Sequence, residues 1–141
     1  MATVDITVMG AGIFGLSVAW TCALRGARVR VVDPFGVGAG ASGGVVGALA
    51  PHTPERWEPR KEFQLESLLL AEPFWAEVDR ASGLGSGYGR TGRLQPIADA
   101  HTLALARERV GAAQGLWRGH ADWQVRPVSD FDGWVPDSAT G

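Results

Sequence analysis

The chain is poor in the residues that would tie it together covalently or draw it to a polyanion. Cys22 is its only cysteine, which excludes an internal disulfide and a cysteine-built metal cluster. Inside an apolar helical stretch, that thiol is expected to be buried and inert. Lys61 is the only lysine among 141 residues, and the formal net charge is −2. Such a balance leaves no electrostatic footprint for nucleic acid or an anionic membrane. The preference for arginine, with abundant Gly and Ala, reads as codon usage more than chemistry. No basic segment precedes the first hydrophobic run, and glycines break that run. Neither a signal peptide nor a membrane span is expected, and a soluble cytoplasmic protein is. Repeats are absent, and His101 and His120 have no companions at metal-ligand spacing, so no metal is expected. The length corresponds to one ordinary domain, short for an enzyme that encloses a whole dinucleotide.

What is present concentrates at the beginning. Residues 6–15 read Ile-Thr-Val-Met-Gly-Ala-Gly-Ile-Phe-Gly, an apolar strand-like run leading into Gly10-x-Gly12-x-x-Gly15 and then a helical stretch, with a second strand ending in Asp33. A glycine triplet alone is weak; in that setting it reads as a dinucleotide-binding βαβ unit. The three glycines have different work. Gly10 permits the tight turn out of the strand, Gly12 lets the backbone approach a pyrophosphate, and Gly15 lets the helix pack closely on the strand. The phosphates are expected at the helix N-terminus, where free N–H groups and the dipole favour anions. The pattern predicts a helix over Ile13 to Leu24, ended by Gly26, and a strand over residues 27–32. A carboxylate at Asp33 can accept from both hydroxyls of an adenosine ribose and repels a 2′-phosphate, which favours FAD or NAD over NADP.

A loop of glycine and small residues follows, from Phe35 to His52. It has too few large side chains to build a core, so something is expected to press against its backbone; the alternative is a flexible linker, although linkers are usually more polar. Helical spacing returns from Arg60 with Phe63, Leu65, Leu68, Leu69, Phe74, Trp75 and Val78, and Pro73 is expected to kink or restart that helix. Gly83, Gly85, Gly87 and Gly89 mark a turn-rich segment before a short strand over residues 93–98. Asp99 and Thr102 are both candidate N-caps for an amphipathic helix whose apolar positions are Leu103, Ala106, Val110, Ala113 and Trp117. From Gly119 onward, Trp123, Val125, Val128, Phe131 and Trp134 partly alternate, as in the start of another strand.

The longer pattern of Gly10, Gly12, Gly15, Ala19, Gly26, Val29 and Asp33, with Ala41-Ser42-Gly43-Gly44 and Gly47-Ala48-Leu49-Ala50-Pro51, resembles the amino-terminal part of FAD-dependent amino-acid and amine oxidoreductases. These are the D-amino-acid oxidase, glycine oxidase and sarcosine oxidase type. Residues 89–94 are also similar to the family's turn into its substrate-domain sheet. The resemblance implies an α/β fold: a Rossmann-like FAD-binding βαβ unit with additional helices and the start of a substrate-domain sheet, incomplete relative to the family. It implies an FAD-binding segment over residues 1–88 and the start of a substrate or cap domain over 89–141.

By the same resemblance Gly10, Ala11, Gly12, Ile13, Phe14 and Gly15 lie along the FAD pyrophosphate. Asp33 holds the ribose, Ser42 donates its hydroxyl to a phosphate, and Gly47, Ala48 and Leu49 run past the isoalloxazine ring. The implied reaction oxidises the C–N bond of a small amine or amino acid by hydride transfer to flavin. That chemistry needs no protein nucleophile, and no catalytic residue is named. Arg90 or Arg93 could hold a substrate carboxylate, though arginines near a turn are more often solvated. His52 could face the pocket as a proton acceptor or hydrogen-bond donor, though a histidine in a loop is more often a plain surface residue, and Trp57 could wall it or merely pack.

Family members run much longer and return to complete the nucleotide-binding sheet, so this chain is expected to be an amino-terminal fragment or a split subunit that needs a partner chain or a further segment. Alone it is expected to bind FAD weakly and not to turn over. Two alternatives stand beside this reading: an NAD-dependent dehydrogenase, which shares the βαβ unit but offers no reason for the 41–51 loop, and a non-catalytic nucleotide-binding module completing a partner's flavin site. A tRNA-modifying amine oxidase is a further branch, ranked below a small-molecule enzyme because no basic groove supports it.

Overall fold

The computed structural model describes residues 3–45 and 47–131. In chain order they form strand β1 (Ile6–Met9), helix α1 (Ile13–Leu24), strand β2 (Val29–Val32), a 3-10 turn at Ala41–Gly43, helix α2 (Pro59–Ser82), helix α3 (Ala100–Leu116) and a 3-10 turn at Val128–Asp130. The described residues thus form a small α/β arrangement with a parallel two-stranded sheet and three helices. The chain divides between Ala48 and Leu49 into two units.

In the first unit β1 and β2 run parallel, with Ile6 opposite Val29 and Met9 opposite Val32, and α1 is the crossover between them. Two parallel strands cannot be joined by a hairpin; a helix returns the chain to the starting edge. α1 ends where the sequence places the break: Gly26, at φ +87°, takes the left-handed turn, and its N–H donates to Ala23 O at 2.9 Å. The far ends of the strands are tied by Asp5, whose carboxylate accepts from the Arg28 backbone N–H at 2.9 Å and from its guanidinium at 2.7 and 3.0 Å. Those bonds hold the Asp5 carboxyl below its ordinary range, the Arg28 side chain contributing most.

Little is buried here. Ala11 and Ala19 are enclosed, whereas Met9, Phe14, Phe35, Val37 and Val45 lie in the open, Phe14 at 88% exposure. The Cys22 thiol is free and half-buried, more accessible than a core thiol.

The second unit is built on side chains. α2 begins with Pro59 in its first turn, where a missing N–H costs nothing, and ends at Gly83, whose left-handed backbone (φ +68°) returns its N–H to Asp79 O. Pro73 lies inside this helix and does not divide it; α2 continues as one element past the position where the sequence alone suggests a restart. At the start of α3 the choice between two caps resolves to Asp99, which accepts the Thr102 N–H at 2.7 Å while Thr102 Oγ1 donates to its other oxygen. The core joins Leu65 of α2 to Ala113 and Trp117 at the end of α3, with Trp57, Leu69, Leu116, Ala121 and Trp123 packed around them. Phe63, grouped with Leu65 by spacing, stays 78% exposed.

Residues 93–98 are expected to open a second sheet, and the structure assigns them to no strand. Pro96 supplies no N–H to a ladder, which confines such a segment to an edge or to irregular backbone. Residues 119–127 also form neither strand nor helix, and Trp134 lies outside the described residues.

Candidate cofactor site

The glycine turn between β1 and α1 takes the shape its composition requires. Gly10 adopts φ +105°, open to glycine and strained for other residues, and its N–H donates to Val32 O at 2.8 Å. Gly15 has no room for a side chain: a Cβ there would stand 2.0 Å from Gly10 O and 3.4 Å from Val8 Cγ1. The glycine thus sets how closely α1 lies on β1. At Gly12 a Cβ would come 3.0 Å from Ser42 Oγ, so the residue pressing on this position from within the chain is the loop serine.

Ser42 lies at the N-terminus of α1. Its Oγ accepts the Ile13 N–H at 2.9 Å, satisfying one of the donors that a helix start leaves over. Because the hydroxyl oxygen is the acceptor in that bond, its proton stays available to donate. The N–H groups of Phe14 and Gly15 meet no acceptor among the described residues. Two main-chain donors, a hydroxyl and the positive end of a helix dipole therefore converge where an anion is favoured.

Asp33, at the carboxyl end of β2, is more heavily engaged than the sequence suggests. Oδ2 accepts the Ala11 N–H at 2.9 Å; Oδ1 accepts those of Phe35 at 2.8 Å and Gly36 at 3.1 Å. The Ala11 bond first, then that from Phe35, hold its carboxyl below the ordinary aspartate value against the opposing effect of burial. Asp33-Pro34-Phe35-Gly36 carries a sequence signal for the Phe35 and Gly36 bonds, since an aspartate that accepts N–H groups two and three residues on makes an Asx-type turn; the Ala11 bond, 22 residues away, has no such signal. Gly38 then donates its N–H to Ala11 O at 2.9 Å.

The structure thus brings Gly10, Ala11, Gly12, Ile13, Gly15, Asp33 and Ser42 into one contiguous site, with Phe14 exposed at its edge. Gly47 and Ala48, at the end of the first unit, are exposed, and Leu49 begins the second unit.

Of the residues weighed for the substrate side, Trp57 and Arg90 have side-chain partners within the second unit. Trp57 Nε1 donates to Glu62 Oε2 at 2.7 Å and its ring packs on the core, which is the packing role. The His52 backbone N–H donates to Gln64 Oε1 at 3.0 Å. Arg90 donates to the His120 carbonyl and pairs with Glu72 at 3.8 Å, so its guanidinium is engaged; Arg93 is exposed. Among the described residues no group of His, Cys, Asp and Glu has the arrangement to hold a metal ion, and no helix is long and apolar enough to cross a membrane.

A βαβ crossover with a glycine turn, a serine and free N–H groups at the helix start, and an acid closing the second strand define a dinucleotide-binding protein. The donor set fits a pyrophosphate, and glycine at residues 12 and 15 allows the close approach of Ser42 and of β1 that brings those donors together. The chain matches the family model of FAD dependent oxidoreductases, DAO, over residues 5–136, and it belongs to that family; FAD is accordingly its cofactor.

It is 33% identical, over 82% of its own length, to the tRNA 5-methylaminomethyl-2-thiouridine biosynthesis bifunctional protein MnmC of Ralstonia nicotianae. It is 30% identical, over 97% of its length, to the bifunctional protein ThiO/ThiG of Trichormus variabilis. A third relative, the MnmC protein of Leptospira borgpetersenii, is 32% identical over 64% of the chain. The chain spans 18% of the first of these relatives and 22% of the second. No solved structure matches it significantly.

Proposed function

We propose that this protein serves as the FAD-binding part of an enzyme that oxidises the C–N bond of a small amine or amino acid. The observation that carries this reading is the family match spanning both the glycine turn and the loop over residues 41–51. A NAD-dependent dehydrogenase does not require that loop. Bound FAD supplies the hydride acceptor for such a reaction. The chain's own residues bind and orient it. Gly10, Gly12, Ile13, Phe14 and Gly15 accommodate the pyrophosphate, the Ser42 hydroxyl donates to a phosphate oxygen, and Asp33 faces the ribose. Ala11 contributes shape, because its N–H is spent on Asp33. Gly47, Ala48 and Leu49 follow the isoalloxazine ring, small enough at the first two positions for main-chain N–H groups to reach it.

The functional division at residue 88, with the substrate side beginning at 89, belongs to the same proposal. So does a further polypeptide segment or partner chain: Met9, Phe14, Phe35 and Val37 leave apolar surface of the first unit in water, and such surface is usually covered when a protein works. The relatives are named as bifunctional proteins, in keeping with an enzyme whose parts are joined differently in different chains.

A second reading follows from the MnmC relatives, whose name includes an aminomethyl group on a tRNA nucleoside. Amine oxidation is common to both readings, and the net charge of −2 favours the small substrate. The experiment is anaerobic: the protein, reconstituted with the further segment or partner chain that the proposal includes and loaded with FAD, is mixed with glycine, N-methylglycine, other amino acids and unfractionated tRNA, and the flavin absorbance is followed. Bleaching by a small amine or amino acid supports the proposal. Bleaching by tRNA alone supports the second reading, and retention of NAD in preference to FAD by the purified chain would overturn both.

A further inference from the structure

A carboxylate offers about four acceptor positions, and in Asp33 three are filled by main-chain N–H groups of this chain. Those three donors belong to two separate turns. Ala11 lies in the glycine turn, with 2% of its surface exposed; Phe35 and Gly36 begin the loop after β2. The next part of that loop returns to the same peptide, since Gly38 N–H donates to Ala11 O at 2.9 Å. Four residues later Ser42 Oγ takes the Ile13 N–H at 2.9 Å. The loop therefore grips the phosphate-binding turn at two points, Gly38 and Ser42, and Asp33 joins the turn at Ala11 to the first residues of the loop. One acceptor position remains on Oδ2. Turning both oxygens toward a ribose would give up the Phe35 and Gly36 bonds that begin the loop.

We propose that Asp33 is a positioning residue for the phosphate-binding turn. It holds residues 10–13 in their anion-accepting form before a nucleotide arrives, and so governs affinity for the pyrophosphate of any nucleoside diphosphate, in addition to whatever it contributes to the ribose hydroxyls. The inference does not depend on which amine is oxidised.

The first measurement uses the native sequence. In an amide NMR titration of the 141-residue protein toward acid, the Ala11, Phe35 and Gly36 signals should move with one common midpoint, below that of an ordinary aspartate. Gly10, bonded to Val32 O, serves as the control. Separate midpoints for Ala11 and for Phe35 with Gly36 would overturn the proposal.

The second measurement compares ADP with 2′,3′-dideoxy-ADP, which lacks the ribose hydroxyls, on wild type and Asp33→Asn. Positioning predicts that both ligands bind the variant about tenfold more weakly, the weight of one charge-assisted contact. Removing a negative charge would by itself strengthen binding of an anion, so the predicted sign is opposite to the electrostatic one. A variant that binds the dideoxy ligand as tightly as wild type, while losing affinity for ADP alone, assigns Asp33 to the ribose only and ends the proposal. If Asp33→Asn does not fold, the wild-type titration decides on its own.

Discussion

The two units reach order by opposite means. In the first, the defining contacts end on main-chain atoms: Asp33 on Ala11, Phe35 and Gly36, Ser42 on Ile13, Gly38 on Ala11. In the second they join side chains. Trp117 is 3% exposed against Leu65, and the Arg109 guanidinium holds Glu55 through two bonds of 3.0 Å while its Cζ lies 5.2 Å from the Trp123 ring centroid. A site for a phosphate chain needs exposed N–H groups and close backbone approach, and both are incompatible with packed side chains. The first unit consequently buries little apolar surface. The second unit carries the tryptophan core. Substitutions that remove side-chain volume should therefore be felt in the second unit, and those that add volume in the first.

The largest loss is expected at Trp117. Truncation by Trp117→Ala removes the centre of the Leu65–Ala113–Trp117 cluster and should cost about 3–5 kcal/mol, read as a lowered denaturant midpoint. Trp117→Phe sharpens the point, because the indole Nε1 is buried without an acceptor among the described residues. Discarding an unmet donor offsets part of the lost volume, so this variant should cost no more than about 1 kcal/mol by the same measurement. Equal losses in the two variants would contradict the assignment of the indole as volume alone.

Gly15→Ala is the corresponding blow to the first unit. One methyl group would sit 2.0 Å from Gly10 O, which α1 can relieve only by lifting off β1. Overpacking of this kind costs about 3 kcal/mol, and FAD binding followed by flavin fluorescence should disappear. Retained binding would show that the helix moves away from the strand without disturbing its N-terminal donors.

Much of the first unit is legible in sequence because its constraints are local. A glycine needed for positive φ at residue 10, a helix stop at Gly26 and an acid at the end of β2 each leave a mark at one position. The bounds of α1 agree with the expected ones, Ile13–Leu24, for that reason. The roles of Asp33 and Ser42 were visible only in part. Their partners lie 22 and 29 residues away, and nothing in the spacing says whether a carboxylate faces a ligand or a neighbouring turn. In the second unit the helices follow from periodicity, yet Pro73 passes through α2 without dividing it, because packing along the rest of a long helix outweighs one lost hydrogen bond. The short strand expected over 93–98 fails in the opposite way. A strand is a relation between two segments, and an apolar run holding Pro96 does not specify a partner.

Ser42→Ala tests the clasp with a smaller change. The variant loses the oxygen that meets the Ile13 N–H and the hydroxyl proposed for a phosphate. Stability of the free protein should fall by about 1 kcal/mol, the usual weight of a side-chain cap. FAD affinity should fall about tenfold, equivalent to about 1.4 kcal/mol. A loss in stability with unchanged affinity would confine Ser42 to holding the loop.

The subtlest contrast is between two carboxylates that are both held below their ordinary values for different reasons. In Asp33 the leading cause is the Ala11 backbone N–H; in Glu55 it is the hydrogen-bonded Arg109 side chain. For both, the folded protein binds a proton less readily than the unfolded chain. Their contributions to stability are therefore complete above the unfolded value, about pH 4, and are lost as the pH falls through the depressed folded value. Salt separates them. An ion pair with Arg109 is screened at about 1 M ionic strength, where the Debye length is about 3 Å, while fixed peptide dipoles at hydrogen-bond distance are affected much less. Carboxyl NMR titrations at low and high salt should show Glu55 moving back toward its ordinary value and Asp33 remaining depressed. Equal movement of the two would mean that Asp33 owes its depression to net charge around the glycine turn, and the main-chain clasp would lose its electrostatic support.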